Sequence, residues 1–111
     1  MYNLNELAFE AMLENAKQAY NGIPFMKLAV DKLSYEYNRT KYNDCLRHID
    51  EESNQITTIY NQISLRGGFV TPFEQQDLQR HIQLRGEYEA KSMKHFLSGG
   101  KDAGNIVSKF F

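Results

Sequence analysis

Arg66-Gly67-Gly68-Phe69-Val70-Thr71-Pro72-Phe73-Glu74 is the stretch whose reading decides the fold. Two consecutive glycines end a helix, because glycine enters the left-handed region without a Cβ clash. Thr71 then offers a side-chain oxygen to the unpaired amides of a new helix. Pro72 takes the first helical position, where a missing N–H costs nothing, and Glu74 reaches back from the third. One helix stops at Arg66 and another begins after Thr71. A connection of about five residues makes the two helices antiparallel neighbours.

Upstream of the turn, Tyr42, Leu46, Ile49, Ser53, Ile56, Tyr60 and Ile63 recur in alternating steps of four and three. That is a heptad seam, narrow enough to face one other helix rather than a broad core. Ser53 is its single small polar member. Downstream, Leu78, Ile82, Met93, Phe96 and Leu97 form the apolar side of the second arm, with Leu84 and Tyr88 beside it. Gly86 lies inside that arm and costs about 1 kcal/mol relative to alanine; a close helix crossing or plain tolerance accounts for it.

Further out, a first helix is expected over residues 4–20. Asn3 caps it, with Glu6 as the reciprocal partner. Leu4, Leu7, Ala8, Ala11, Met12, Ala16, Ala19 and Tyr20 supply an apolar face, and Glu6, Glu10 and Glu14 the opposite one. Asn21-Gly22 stops it, and Pro24 opens the next helix. Phe25, Leu28, Ala29, Leu33 and Tyr37 continue at helical spacing. Asn38-Arg39-Thr40-Lys41 interrupts the apolar stripe without a Gly or Pro. Continuity is favoured there, with one helix or two over residues 24–66 left open. At the other end, Ser98-Gly99-Gly100 is expected to end the second arm. Residues 102–111 then form a short helical tail carrying Ile106, Val107, Phe110 and Phe111.

The 111-residue chain is long enough for one domain, expected to be a single helical domain over 1–111. The fold class that follows is all-α. It is a small helical bundle dominated by an antiparallel hairpin of residues 42–66 and 71–97, with an N-terminal helix and a short C-terminal helical tail. A net charge of −1 argues against a general nucleic-acid binder. No apolar run reaches the roughly eighteen residues of a membrane span, and the N-terminus lacks a signal-peptide pattern. Cys45 is the only cysteine, which excludes an intrachain disulfide and fits a cytoplasmic setting (host cytoplasm if the chain is phage-encoded).

Candidate chemistry is sparse. Asp44, His48 and Glu52 share a helical face at metal-ligand spacing, but alternating charges one turn apart are ordinary on a solvated helix. His81 flanks the Leu78–Ile82 stripe, and Cys45 neighbours the seam as a buried thiol. No glycine-rich loop opens a helix after a strand, so no phosphate cradle is present. Arg47, His48, Arg66, Arg80 and Arg85 are the anion-binding candidates of an enzyme with its site between helices, provided they converge. Residues 43–90 carry a net charge of −4, and residues 91–111 carry +3 from Lys91, Lys94, Lys101 and Lys109 against Asp102. That basic end is the only nucleotide- or nucleic-acid-binding candidate.

Two resemblances bear on function. Leu46-Arg47, His48-Ile49-Asp50-Glu51 and Gln55-Ile56 through Arg66 resemble the opening helix of the helical chorismate mutases. The lysine expected further along that helix has no match, because Gly67-Gly68 ends it. Phe69-Val70-Thr71-Pro72, Gln79, Ile82, Tyr88, Ser92-Met93 and Ile106–Phe111 are similar to the C-terminal hairpin arm of type III secretion needle and inner-rod subunits. That similarity implies a terminal helix packing against copies of itself; the first 65 residues do not follow the pattern.

The expectation is therefore a non-enzymatic protein–protein interaction or assembly protein, with no catalytic residue, cofactor or metal. A phage or mobile-element accessory protein that binds a host factor or a virion subunit belongs to this class. The alternatives are a type III needle- or rod-like subunit or secretion chaperone, and a small helical anion- or nucleotide-binding protein. The partner is another protein or a second copy. The residues expected to meet it are Tyr42, Tyr60, Tyr88, Phe96, Ile106, Val107, Phe110 and Phe111, since tyrosine joins an apolar ring to a wettable hydroxyl and an apolar terminus must dock somewhere.

Overall fold

In the computed structural model, which describes residues 4–108, both halves of the expected turn form. Gly67 and Gly68 have φ of 82° and 93°. The Gly67 amide donates to the Ser64 carbonyl at 3.0 Å and the Gly68 amide to the Ile63 carbonyl at 2.9 Å, the paired bonds of a Schellman cap. Nothing lies within 4 Å of where a Cβ would stand on either residue. The backbone angle, not crowding, requires glycine there. Across the turn, the Glu74 amide donates to Thr71 Oγ1 at 3.2 Å. Glu74 Oε1 accepts from the Thr71 amide at 3.1 Å and from its hydroxyl at 2.9 Å. Arg66 closes on the same carboxylate.

The Arg66 hydrogen bond first, and the Thr71 amide next, hold the Glu74 carboxyl below its ordinary value of 4.5. A carboxylate depressed in the folded state stabilises above its unfolded pKa, and that contribution is lost as pH falls through the folded value. The unfolding midpoint is expected to drop as pH is lowered below 4.5. Glu74→Gln should flatten that part of the profile; identical profiles for the two proteins would rule the capping carboxylate out as a source.

Three helices follow in order: α1 (Leu4–Ala19), α2 (Pro24–Leu65) and α3 (Pro72–Ser108). α2 and α3 pack against each other as a helical hairpin, and no strand occurs among the described residues. α2 runs unbroken through Asn38–Lys41, so residues 24–65 form one helix. The Asn3 cap lies outside the described residues. α3 does not stop at Ser98-Gly99-Gly100, and the expected separate tail is its own last turns. Neither Gly99 nor Gly100 has a positive φ. A Cβ on Gly99 would stand 3.4 Å from Asn38 Cβ, in ordinary van der Waals contact, so α2 and α3 pass close together at this glycine. Gly86 has open space around it, which leaves tolerance as its explanation. Among the described residues no helix is long and apolar enough to cross a membrane.

The chain divides into two compact units, Asn43–Ser92 and Met1–Tyr42 with Met93–Phe111. In the Asn43–Ser92 unit, Ile56, Ile59, Ile63 and Leu78 form the buried apolar cluster. The seam of α2 there is Cys45, Ile49, Glu52, Ile56, Ile59 and Ile63, each buried or half-buried. It shares Ile49, Ile56 and Ile63 with the expected seam but takes Cys45 and Ile59 in place of Leu46 and Tyr60, and adds Glu52 beside the half-buried Ser53. Leu46 and Tyr60 are exposed. The rotation places Glu52 inside, against His81 of α3.

The other unit is built differently. Its fully buried side chains are His95, Asp31, Asp102 and Ser34, joined by Asn38. Leu13 is the one buried residue of α1. Of the apolar face expected to pack, Leu4, Leu7, Ala8, Ala11, Met12 and Ala19 are exposed, while Ala16 and Tyr20 are half-buried. α1 docks through Glu6, Phe9, Glu10, Leu13, Ala16 and Lys17, a face on which three lysine–carboxylate pairs flank Phe9 and Leu13.

Candidate functional site

The polar interior is organised around Asp102, which has no solvent exposure. Its Oδ1 accepts from Lys17 Nζ at 2.7 Å. Its Oδ2 accepts from Ser34 Oγ at 2.5 Å and from Asn38 Nδ2 at 3.2 Å. Asn38 Nδ2 also donates to the Ser34 carbonyl at 3.0 Å. With its amide nitrogen facing two acceptors, Asn38 turns Oδ1 towards His95 Nδ1 at 2.8 Å. That bonding pattern assigns a proton to His95 Nδ1. One carboxylate thereby ties α1, α2 and α3 together.

Ser34, His95 and Asp102 are the residue types of a hydrolytic triad, but the connections differ from one. Ser34 gives its proton to a carboxylate instead of an imidazole, and His95 donates to an amide. All three are buried. As arranged, the cluster orients helices.

In the Asn43–Ser92 unit, His81 is buried between two carboxylates, with Nδ1 on Glu52 and Nε2 3.6 Å from Asp77 Oδ1. His48 stacks on Tyr88, ring centroids 4.5 Å apart, and pairs with Glu51 at 3.2 Å. Burial, and then the charge on Glu52, raise the Tyr88 hydroxyl above its ordinary value. Asp44, His48 and Glu52 therefore turn to three different partners, and no metal-binding group occurs among the described residues. The anion-binding arginines are also spent locally. Arg47 lies near Asp44 and Glu51, Arg66 on Glu74, Arg80 on Asp77 and Arg85 near Glu89. His81 is held inside instead of lying at the stripe's edge, and Cys45 is buried as expected.

Of the basic end, Lys91 is buried and Lys94 pairs with Glu10 at 2.7 Å. Lys101 lines a 450 Å³ recess with Glu14, Lys17, Gln18, Asn21, Lys27, Asp31, Ser98 and Asn105. Two of its three lysines already hold carboxylates, Lys17 on Asp102 and Lys27 on Asp31 at 3.2 Å. The recess offers an anion little uncompensated charge.

No protein-family model, curated protein or solved structure matches the chain.

The residues expected to meet a partner fall into three groups. Tyr42 leans on Phe96 at 5.6 Å and Tyr88 on His48, so both are half-committed to the fold. Tyr60, Phe96 and Val107 are exposed, and Ile106 is half-buried. Phe110 and Phe111 lie outside the described residues. The hub residues Ser34, Asn38, His95 and Asp102, and the buried Asp31, carried a signal that an apolar search passes over. On α2, 31, 34, 38, 42 and 45 follow steps of three and four residues, and on α3, 92, 95, 99, 102 and 106 keep the strict heptad alternation. Polar residues at seam spacing were the available clue.

Proposed function

We propose that this chain is a non-enzymatic protein–protein interaction or assembly protein that meets its partner through the outer face of α3. The observation that carries the proposal is a reversal of burial. The unit containing α1 buries Asp31, Ser34, Asn38, His95 and Asp102, while Met93, Phe96, Leu97 and Val107 stand 52–63% exposed on α3. A buried polar cluster and a contiguous exposed apolar patch are the two informative departures from the usual partition, and the second marks an interaction site. The exposed stripe amounts to roughly 400 Å² of apolar surface, the size of a functional patch on a small protein. It is about half of what one partner of a stable interface contributes.

The partner is another protein or a second copy. A small accessory chain of a phage or mobile element, working in a reducing cytoplasm, suits one buried thiol and an unpaired apolar face. Truncation is the wrong test, because a cut before residue 102 removes the hub. Leu97→Glu with Val107→Glu leaves the hub intact and is expected to change stability by less than about 0.5 kcal/mol. It should abolish both self-association in light scattering and capture of any partner by the tagged chain. Wild-type protein that is monomeric and captures nothing, or variant protein that associates as well as wild type, would overturn the proposal.

A further inference from the structure

α1 is seated on α2 and α3 in an unusual way. Two acids one turn apart meet two lysines, Glu6 with Lys41 at 2.8 Å and Glu10 with Lys94 at 2.7 Å. Two turns further on, the charge reverses, and Lys17 meets Asp102. Between them Phe9 leans on Tyr37, ring centroids 4.8 Å apart, and Leu13 is buried. The seat is incompletely filled. A 190 Å³ recess lies along it, lined in part by Glu10, Leu13, Tyr37, Asn38 and Lys94. The larger recess lies beside Lys17 and Gln18. Two buried polar atoms there have no hydrogen-bond partner, the Tyr37 hydroxyl and Asp31 Oδ1. Buried polar atoms are ordinarily satisfied, so α1 fits its own seat imperfectly.

We propose that α1 is a displaceable occupant, and that its seat on α2 and α3 is a binding groove for a partner helix with two acidic residues one turn apart followed by a basic residue two turns on. Charge complementarity defines that ligand: Lys41 and Lys94 take the acids, and Asp102 with Asp31 takes the base. An acceptor near Phe9's position satisfies the Tyr37 hydroxyl, and a donor near Gln18's position satisfies Asp31. The Tyr37 hydroxyl, pushed up to about 12 by burial and then by Glu10 and Glu6, remains a donor throughout. The groove uses none of the outward α3 residues, so it and the function proposed above can fail separately.

Tethered α1 competes at millimolar effective concentration, so its own hold has to be loosened for a binding measurement. The probe is a peptide of residues 4–20, added to the full chain carrying Glu6→Gln and Glu10→Gln. Removing two partly exposed ion pairs should tighten peptide binding by about fivefold over the wild-type chain. Hydrogen exchange of residues 4–19 should speed up as the peptide binds. A peptide with Glu6→Lys and Glu10→Lys should not bind. In a chain with Lys41→Glu and Lys94→Glu, checked for retained helicity, the preference between the two peptides should invert. No binding at 1 mM peptide, equal binding of both peptides, or binding without faster exchange in residues 4–19 would overturn the proposal. So would a concentration-dependent dimer that keeps α1 protected, since the groove would then belong to a second copy.

Discussion

Asp102→Ala is expected to disorder the unit built from Met1–Tyr42 and Met93–Phe111, at a cost of about 2–3 kcal/mol for the buried groups it leaves unsatisfied. That is a large part of the roughly 5–15 kcal/mol that holds a domain folded. Asp102 accepts hydrogen bonds from Lys17, Ser34 and Asn38. Lys17 keeps 23% of its side chain exposed and can return to water. Ser34 and Asn38 are buried; the Ser34 hydroxyl would lose its acceptor, and Asn38 would keep only its bond to the Ser34 carbonyl. Asp102→Asn keeps an oxygen for them but forfeits the Lys17 charge, so its cost should be smaller, about 1–2 kcal/mol. Urea unfolding reads the total, and hydrogen exchange locates it. Exchange in Ile56–Ile63 should stay slow, since that cluster is made in the other unit. A cost under about 1 kcal/mol for Asp102→Ala would sink the idea that this carboxylate is the hub.

A buried ion pair is a poor route to stability, because desolvation offsets most of the Coulomb attraction. Its value lies in uniqueness. An all-apolar heptad seam tolerates sliding by a turn and exchange of partners, whereas a polar member fixes register. Asp102 is satisfied only when Lys17, Ser34 and Asn38 arrive together. One register of α1, α2 and α3 meets that condition. The same arrangement frees Met93, Phe96 and Leu97 from packing inward.

The turn was legible because its signals are local. Gly67-Gly68 and Thr71-Pro72-Phe73-Glu74 need only their neighbours to do what the structure shows them doing. The hairpin was legible because the turn is short. What the sequence concealed was rotation about the helix axes. A period of 3.5 is visible in any list of apolar residues, but its phase depends on what the facing helix presents. His81 draws Glu52 inward, and Asp102 draws Ser34 and Asn38. Each is a partnership between residues far apart in the chain. Gly99-Gly100 misled for the same reason: a glycine pair ends a helix in isolation, but here Gly99 lies inside a helix, where α2 and α3 pass close together at Asn38. The docked face of α1 was hidden because Leu4, Leu7 and Met12 are the more hydrophobic choice, whereas the face that docks flanks Phe9 and Leu13 with three lysine–carboxylate pairs.

The phase of the α2 seam shows in the contrast between two adjacent residues of the Asn43–Ser92 unit. Ile59 is 7% exposed and Tyr60 54%. Ile59 belongs to a cluster of four residues, so truncating it removes a substantial fraction of that core and leaves a cavity that rigid helices cannot fill. Ile59→Ala should cost about 2–5 kcal/mol, while Tyr60→Ala should stay within about 0.5 kcal/mol. The seam in its apolar-residue phase, with Tyr60 inside, demands the reverse order. Urea unfolding of the two variants decides between the phases in one experiment. A Tyr60→Ala cost equal to or above that of Ile59→Ala would return Tyr60 to the interface between the helices and remove it from the surface left for a partner.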